Sequence, residues 1–156
     1  MKKFIFIFLI NFFLCANMDY IIDNIYLGDN IAAKNETFLK EYNITSVINC
    51  AQELPSEYKE IRFLELKLDD FLQQPLFPKF EVAYKFIKIN SENNILIFCG
   101  LGMSRSASLV LFYLMKDKGW DYDTSYNYTK ERRPEILPNP GFEQQLRDYY
   151  DKNIKE

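Results

Sequence analysis

Cys99 and Arg105, six residues apart, are the pair of side chains with the clearest chemical potential in the sequence. The apolar run 95–98 precedes the cysteine, and Gly100 and Gly102 lie between the cysteine and the arginine. A glycine-rich turn that leads from a strand into a helix directs backbone N–H groups to one point, where the helix dipole also favours an anion. The pattern therefore predicts a binding site for a phosphate group.

The side chains of this turn also fit a nucleophilic attack on phosphorus. The planar guanidinium of Arg105 can hold two phosphoryl oxygens, and the same positive field favours the thiolate form of Cys99. Such a thiolate can form a phosphocysteine, and the hydroxyl of Ser106 could later hydrogen-bond the departing sulfur. Cys99, Arg105 and Ser106 are the predicted catalytic residues. The residues predicted to bind the phosphate are Gly100, Leu101, Gly102, Met103, Ser104 and Arg105.

An interpretation without chemistry also fits the spacing, since a Cys and an Arg six residues apart can occur by chance. Cys99 would then be a buried thiol at a strand end, and Arg105 a solvated residue in the first turn of a helix. The apolar strand before the turn, the glycines within it and a serine-capped helix after it are the setting that phosphate chemistry requires. They favour the functional interpretation.

The composition excludes several other kinds of active site. The 156 residues include no histidine, which removes Ser-His-Asp triads, Cys-His pairs and zinc sites built on imidazole. Three cysteines are too few and too scattered for a disulfide framework or a zinc cluster, so we expect neither a metal nor another cofactor. A net charge of −3 supplies no basic face, so we expect no nucleic-acid partner.

Strand and helix patterns alternate from Tyr20 onward, and a chain of this length with 48% hydrophobic residues can form one globular core. Strands are predicted over 21–27, 44–51, 61–68 and 95–98, and helices over 30–42, 78–89, 104–118, 122–132 and 141–152. The run 95–98 is typical of a strand buried on both faces. We predict an α/β fold with a single domain over 18–152, in which helices flank a small mixed central β-sheet, and we expect a monomer.

The first 17 residues differ from the rest of the chain. Two lysines precede a mostly apolar run over 4–16, which has the length of the apolar region of a secretory signal and is too short to span a membrane. The segment is interpreted either as signal-like or as a disordered hydrophobic extension. The second interpretation, with so few cysteines, indicates a cytoplasmic protein. The first indicates the secretory pathway, or a membrane if the segment is retained as an anchor.

The residues around Cys99 resemble the signature of the dual-specificity protein phosphatases, His-Cys-x-x-Gly-x-Ser-Arg-Ser, a family of the cysteine-based phosphatase superfamily. The likeness extends from Tyr20 to about Tyr150. The segments that carry it outside the signature are 25–28, 47–50, 132–134 and 138–146. The resemblance implies a protein tyrosine phosphatase-like fold and a small, stand-alone enzyme. Such an enzyme hydrolyses phosphotyrosine and phosphoserine or phosphothreonine in proteins without a metal.

The resemblance also implies a general acid. In the family, an Asp stands in the loop after the third strand, ten residues before an aromatic residue of the next helix. Asp70 stands ten residues before Phe80, and Asp69 is its neighbour. Cleavage of a phosphate ester needs a carboxylic acid near the leaving oxygen, and the resulting carboxylate can then activate water. We expect Asp70 to be this acid; the alternatives are Asp69, or a solvated carboxylate without a role.

Phe98 is the main departure from the family, which has His at this position. A phenyl ring cannot donate a hydrogen bond to orient the loop and the thiolate, so we expect a slow enzyme. The alternative is a weak or inactive pseudophosphatase that binds phosphoproteins. An RNA 5′-triphosphatase would need a strongly basic face. The absence of Lys between Gly100 and Ser104 disfavours a phosphoinositide substrate.

Cys50 is a candidate redox partner through the same resemblance. In lipid phosphatases of the superfamily, a cysteine at the matching strand end lies close to the nucleophile. A reversible disulfide between Cys50 and Cys99 would protect the nucleophile from over-oxidation. The alternative is an inert thiol in the core.

Overall fold

The computed structural model describes residues 17–55 and 57–155, and the signal-like segment predicted for residues 1–17 lies outside them except for Asn17. Its strands are β1 Met18–Ile22, β2 Ile25–Gly28, β3 Ile44–Ala51, β4 Arg62–Leu68 and β5 Asn94–Phe98. They form one sheet in the order β1-β2-β5-β3-β4, in which β1 is antiparallel to β2 and all other neighbours are parallel. The predicted mixed sheet is confirmed, and β5 lies at its centre.

Helices cover both faces of the sheet. They are α1 Asn30–Lys34, α2 Glu36–Glu41, α3 Lys79–Ile89, α4 Arg105–Lys118, α5 Tyr122–Arg132 and α6 Pro140–Asn153. The first two helices enclose a smaller apolar cluster on one face, and α3 to α6 enclose the larger cluster on the other. Within the described part of the chain, no helix is long and apolar enough to cross a membrane.

Two predicted elements were wrong in their extent. The single strand predicted over 21–27 is a hairpin of β1 and β2, because the chain turns at Asp23 with a φ of 52°. The single helix predicted over 30–42 is divided at Asn35, whose backbone is extended and whose Oδ1 accepts a hydrogen bond from Phe38 N at 3.0 Å. An asparagine that caps a new helix competes with continuation of the previous one.

Successive side chains of β5, and of Cys99 directly after it, lie on opposite faces of the sheet. Ile95, Ile97 and Cys99 belong to the larger cluster, whereas Leu96 and Phe98 belong to the smaller one. Since β3, β4 and β5 are parallel, their carboxyl ends meet at one edge of the sheet. The loops that follow these three strands are therefore brought together there.

Candidate active site

The loop from Cys99 to Ser104 makes a tight turn against the end of β2. Gly102 has a φ of +67°, and a Cβ atom at this position would lie 2.5 Å from the carbonyl oxygen of Gly28. Only glycine combines this left-handed backbone with so close an approach. The glycine of the signature, Gly102, therefore sets the shape of the loop.

Four consecutive carbonyl groups of this loop are held by donors outside it. The backbone N–H of Asn30 donates to the Gly100 carbonyl at 3.2 Å, and the backbone N–H of Leu137 donates to the Met103 carbonyl at 2.8 Å. Between them, the guanidinium of Arg133 donates to the carbonyls of Leu101 at 3.1 Å and Gly102 at 2.9 Å. In a trans peptide the N–H of the following residue points opposite to the carbonyl. The N–H groups of residues 101–104 are therefore turned to the inner side of the loop.

Arg133 is a fully buried cation beneath the loop. Besides its bonds to the loop carbonyls, it donates to Asp19 at 2.7 Å and to Asn17 at 2.8 Å, and it lies 3.2 Å from a carboxylate oxygen of Glu135. A buried charge needs such a set of partners to offset its desolvation. Arg133 thus joins β1 to the underside of the catalytic loop.

Cys99 and Ser106 lie together at the base of the loop. The Cys99 Sγ is 3.0 Å from the Ser106 Oγ, and both residues are buried. The hydroxyl can donate a hydrogen bond to the sulfur at this distance. The structure thus brings the predicted nucleophile and the predicted hydroxyl into direct contact.

Arg105 is buried in the first turn of α4 and is bound end-on by Glu53. Its Nη1 and Nη2 atoms donate to the two Glu53 carboxylate oxygens at 2.5 and 2.6 Å, and Nη1 also donates to the Leu68 carbonyl at 3.0 Å. Burial is the largest effect and acts to lower the pKa of Arg105, but the hydrogen bond to Glu53 and the charges of Cys99, Glu53 and Asp70 together outweigh it, so the pKa is raised. The same bond lowers the pKa of Glu53.

The Nε atom of Arg105 is buried and has no hydrogen-bond partner in the described protein. An unpaired buried donor is costly, and a binding or catalytic role is one of the reasons for which a native structure keeps one. Glu53 takes the end of the guanidinium, so its Nε edge remains for an incoming anion.

Asp70 is tied directly to the catalytic loop. Its Oδ1 accepts a hydrogen bond from the Ser104 hydroxyl at 2.8 Å and another from the Asn139 side-chain amide at 2.9 Å. The Ser104 hydroxyl in turn accepts from the Asn139 backbone N–H at 3.1 Å. For Asp69, the structure gives only a backbone contact, from its N–H to the Gln74 side chain at 2.9 Å.

The segment that carries Asp70 is packed against the start of α6. A Cβ atom at Gly141 would lie 2.0 Å from the carbonyl oxygen of Leu72, so the two backbones are in contact. Gln145 donates to the Gln74 carbonyl at 2.9 Å and accepts from Leu76 N at 3.0 Å. These contacts hold the Asp70 loop in place before any substrate binds.

The structure changes the interpretation of two side chains, Ser104 and Phe98. Ser104 does not cap α4: it stands at the cap position, but its hydroxyl is engaged with Asp70 and Asn139. Phe98 does not face the nucleophile, because it packs in the smaller cluster with residues such as Ala33 and Leu39. A phenyl ring there fills apolar space.

Cys50 lies beside Cys99 on the neighbouring strand. Asn49 pairs with Phe98 in the parallel ladder, so the next residue of each strand is a cysteine. Burial raises the pKa of the Cys50 thiol well above its ordinary value, the nearby Cys99 adds to this effect, and Arg105 opposes it. Cys50 is therefore held as the neutral thiol.

Sequence reasoning missed three residues that contact the site: Glu53, Arg133 and Asn139. A signal was present for two of them, since Arg133 and Asn139 lie in the segments that resemble the closing motif of the phosphatase family. Asn139 is also a helix cap, because its Oδ1 accepts from Phe142 N at 2.9 Å. Glu53 lies in a loop after β3, where no local pattern indicated a role.

Comparison with known proteins agrees with this geometry. The family model described as "Dual specificity phosphatase, catalytic domain" matches residues 25–152. Tyrosine-protein phosphatase vhp-1 of Caenorhabditis elegans is 36% identical over 141 residues, which are 87% of this chain and 22% of the relative. Dual specificity protein phosphatase 1B of Arabidopsis thaliana is 32% identical over 142 residues, 89% of this chain and 84% of the relative. The chain thus spans less than a third of vhp-1, and 9% of human Slingshot homolog 2.

Solved structures show the same architecture. The structure of DUSP15 matches with a TM-score of 0.85 and 27% identity, over 90% of this chain and 91% of that one. The human tyrosine phosphatase-like serine/threonine/tyrosine-interacting protein matches with a TM-score of 0.81 and 27% identity, over 90% and 99% of the two chains. By its matched domain and its relatives, this chain belongs to the family of dual specificity phosphatase catalytic domains.

Proposed function

We propose that the protein is a metal-independent phosphatase that hydrolyses phosphotyrosine and phosphoserine or phosphothreonine in proteins. The observation that carries the proposal is the set of four outward carbonyls at residues 100–103, which turns the four following N–H groups to the inner side of the loop that begins at Cys99. This arrangement binds the oxygens of a phosphate, and the unpaired Nε of Arg105 adds a charged donor. Membership of the family supports the reaction class.

In the first step, the Cys99 thiolate attacks phosphorus and the bond between phosphorus and the ester oxygen breaks. The electron pair of that bond goes to the leaving oxygen, which takes a proton from Asp70. Since Oδ1 of Asp70 accepts both hydrogen bonds from the protein, Oδ2 is the oxygen that carries this proton. The products are the dephosphorylated side chain and a phosphocysteine.

In the second step, water attacks the phosphocysteine and gives a proton to the Asp70 carboxylate. The bond between phosphorus and sulfur breaks, and the electron pair returns to Cys99 as a thiolate. Ser106, whose hydroxyl lies 3.0 Å from the sulfur, donates to it as the charge develops. Inorganic phosphate leaves, and the starting state is restored.

Phosphate release should be slow, because the phenyl ring of Phe98 offers no hydrogen-bond donor near the start of the loop. Phe98→His should raise the rate, because an imidazole can donate a hydrogen bond there. A cavity of about 200 Å³ lies beside Phe98 and is lined in part by Asn30 and Tyr58. It can accommodate the ring nitrogens of a histidine at position 98. The measurement is a pH–rate profile of both proteins with an aryl phosphate.

The same profile decides between an enzyme and a binding module. If neither protein releases phosphate at any pH while both bind a phosphopeptide, the protein is a pseudophosphatase. A thermal melt is the control, since an imidazole placed among the apolar neighbours of Phe98 should lower the melting temperature.

Peroxide should join Cys50 and Cys99 in a reversible disulfide. The Cys99 thiolate is oxidised to a sulfenic acid as peroxide is reduced to hydroxide. The Cys50 sulfur then attacks the sulfenic sulfur as it loses its proton, and this proton and the sulfenic hydroxyl leave together as water. Neighbouring strands lie about 4.8 Å apart, which is within the Cα separation that a disulfide spans. Activity lost to peroxide should return with dithiothreitol in the parent but not in Cys50→Ser.

Mass spectrometry of the peroxide-treated protein identifies the product. Cys15→Ser is the matched control, which should recover like the parent. Equal amounts of Cys99 sulfinic acid in the parent and in Cys50→Ser would show that Cys50 is only a core thiol.

A further inference from the structure

We propose that the mouth of the site selects phosphorylated segments with apolar side chains next to the phosphorylated residue. The proposal rests on the function above and names its substrate class. The surface is called the apolar rim, and it consists of Ile31, Phe71, Leu72, Leu101 and Leu137. Its occupant is the substrate chain on either side of the phosphorylated residue.

Exposure of large apolar side chains is concentrated at this place. Among the described residues, ten large hydrophobic side chains are exposed, and five of them are the members of the rim. Their exposed fractions lie between 48% and 70%. Single exposed apolar residues need no explanation, but a group around a binding pocket indicates contact with a ligand.

The rim surrounds the catalytic loop through contacts of the backbone. Asn30 N donates to Gly100 O at 3.2 Å, which places Ile31 beside the first peptide of the loop. Leu137 N donates to Met103 O at 2.8 Å, which places Leu137 beside the last part of the loop. Phe71 and Leu72 directly follow Asp70 on a third side, and Leu101 belongs to the loop itself.

A bound phosphate fixes where the rest of the substrate lies. An extended chain advances about 3.4 Å per residue, so the neighbours of a phosphorylated residue held above Cys99 reach the surrounding loops. Burial of apolar side chains against the rim contributes roughly 25 cal/mol per Å² of surface removed from water. The rim therefore favours leucine-like neighbours.

Charge at the same loops disfavours acidic neighbours. Asp69 lies two residues before Phe71, so an acidic side chain seated at this part of the rim would lie near its carboxylate. The chemistry of the mouth thus fits an apolar segment around the phosphorylated residue better than an acidic one.

Three phosphotyrosine peptides that differ only at the flanking positions test the rim: one with Leu, one with Ser and one with Glu. With the full chain, kcat/KM should be about tenfold higher for the Leu peptide than for the Ser peptide, and lowest for the Glu peptide. Ile31→Gln should reduce the Leu preference to about threefold and leave kcat/KM for an aryl phosphate unchanged. Ile89→Gln, at an exposed site at the end of α3, is the matched control and should keep the full preference.

Equal kcat/KM values for the Leu and Ser peptides would overturn the proposal. Faster aryl phosphate hydrolysis by Ile31→Gln would overturn it too, because Ile31 would then hinder access to the site instead of binding a substrate segment. A protein that releases no phosphate from any substrate contradicts the proposed function instead. In that case, the dissociation constants of the three peptides with Cys99→Ser test whether the rim binds apolar neighbours. We expect the Leu peptide to bind most tightly and the Glu peptide most weakly.

Discussion

Cys99→Ser should abolish phosphate release, with a loss on the order of 10⁴-fold or more, because the hydroxyl that replaces the thiolate is not ionised at neutral pH. Arg105→Lys should lower kcat/KM by about 10²- to 10³-fold. A lysine offers no planar edge to the phosphate and cannot hold both carboxylate oxygens of Glu53 as the guanidinium does. Both effects are measured as phosphate released from an aryl phosphate.

The fold should survive both substitutions, so circular dichroism and a thermal melt are the controls. Cys99→Ser should still bind a phosphopeptide, since the N–H groups of residues 101–104 are unchanged. Residual activity within tenfold of the parent in either variant would contradict the mechanism.

Asp70→Asn should slow turnover by about 10²-fold or more on substrates with poor leaving groups. An asparagine can keep its Oδ1 bonded to Ser104 and Asn139, so the variant removes the proton and preserves the contacts. Substrates whose leaving groups need no protonation should be affected much less. The measurement is kcat across a series of aryl phosphates with different leaving groups.

Asp69→Asn is the matched control for this prediction. It removes a carboxylate one residue away, for which the structure gives only the backbone contact to Gln74. We expect a small effect on turnover. The reverse ranking of the two variants would show that Asp69 is the acid.

The catalytic loop could be predicted from sequence because its parts are contiguous. The apolar strand, the glycines and the arginine follow one another within eleven residues, and α5 and β3 have the predicted boundaries. The break at Asn35 could not be predicted in the same way, since an asparagine is compatible with both a helix interior and a cap.

The supporting contacts escaped prediction because they join distant parts of the chain. Glu53 is 52 residues from Arg105, and Asn139 is 69 residues from Asp70. Ser104 shows the same difficulty locally, because its position before a helix indicates a cap, whereas its hydroxyl finds partners on two other loops. Which of several hydrogen-bonding options a side chain takes depends on neighbours that only the folded chain supplies.

Because Arg133 lies near the end of the domain, the catalytic loop gains this support for phosphate binding only late in folding. Asp19, which pairs with Arg133, lies 114 residues before it, so the two ends of the domain must meet before the loop carbonyls gain their charged donor. During synthesis, the ribosome releases the signature well before α5 is complete, and at that stage the signature lacks this support. A nascent chain at that stage lacks the donor for the carbonyls of Leu101 and Gly102. Loss of Asn17 and Asp19 from the finished protein would leave the buried guanidinium of Arg133 with fewer acceptors, at a cost in stability beneath the catalytic loop.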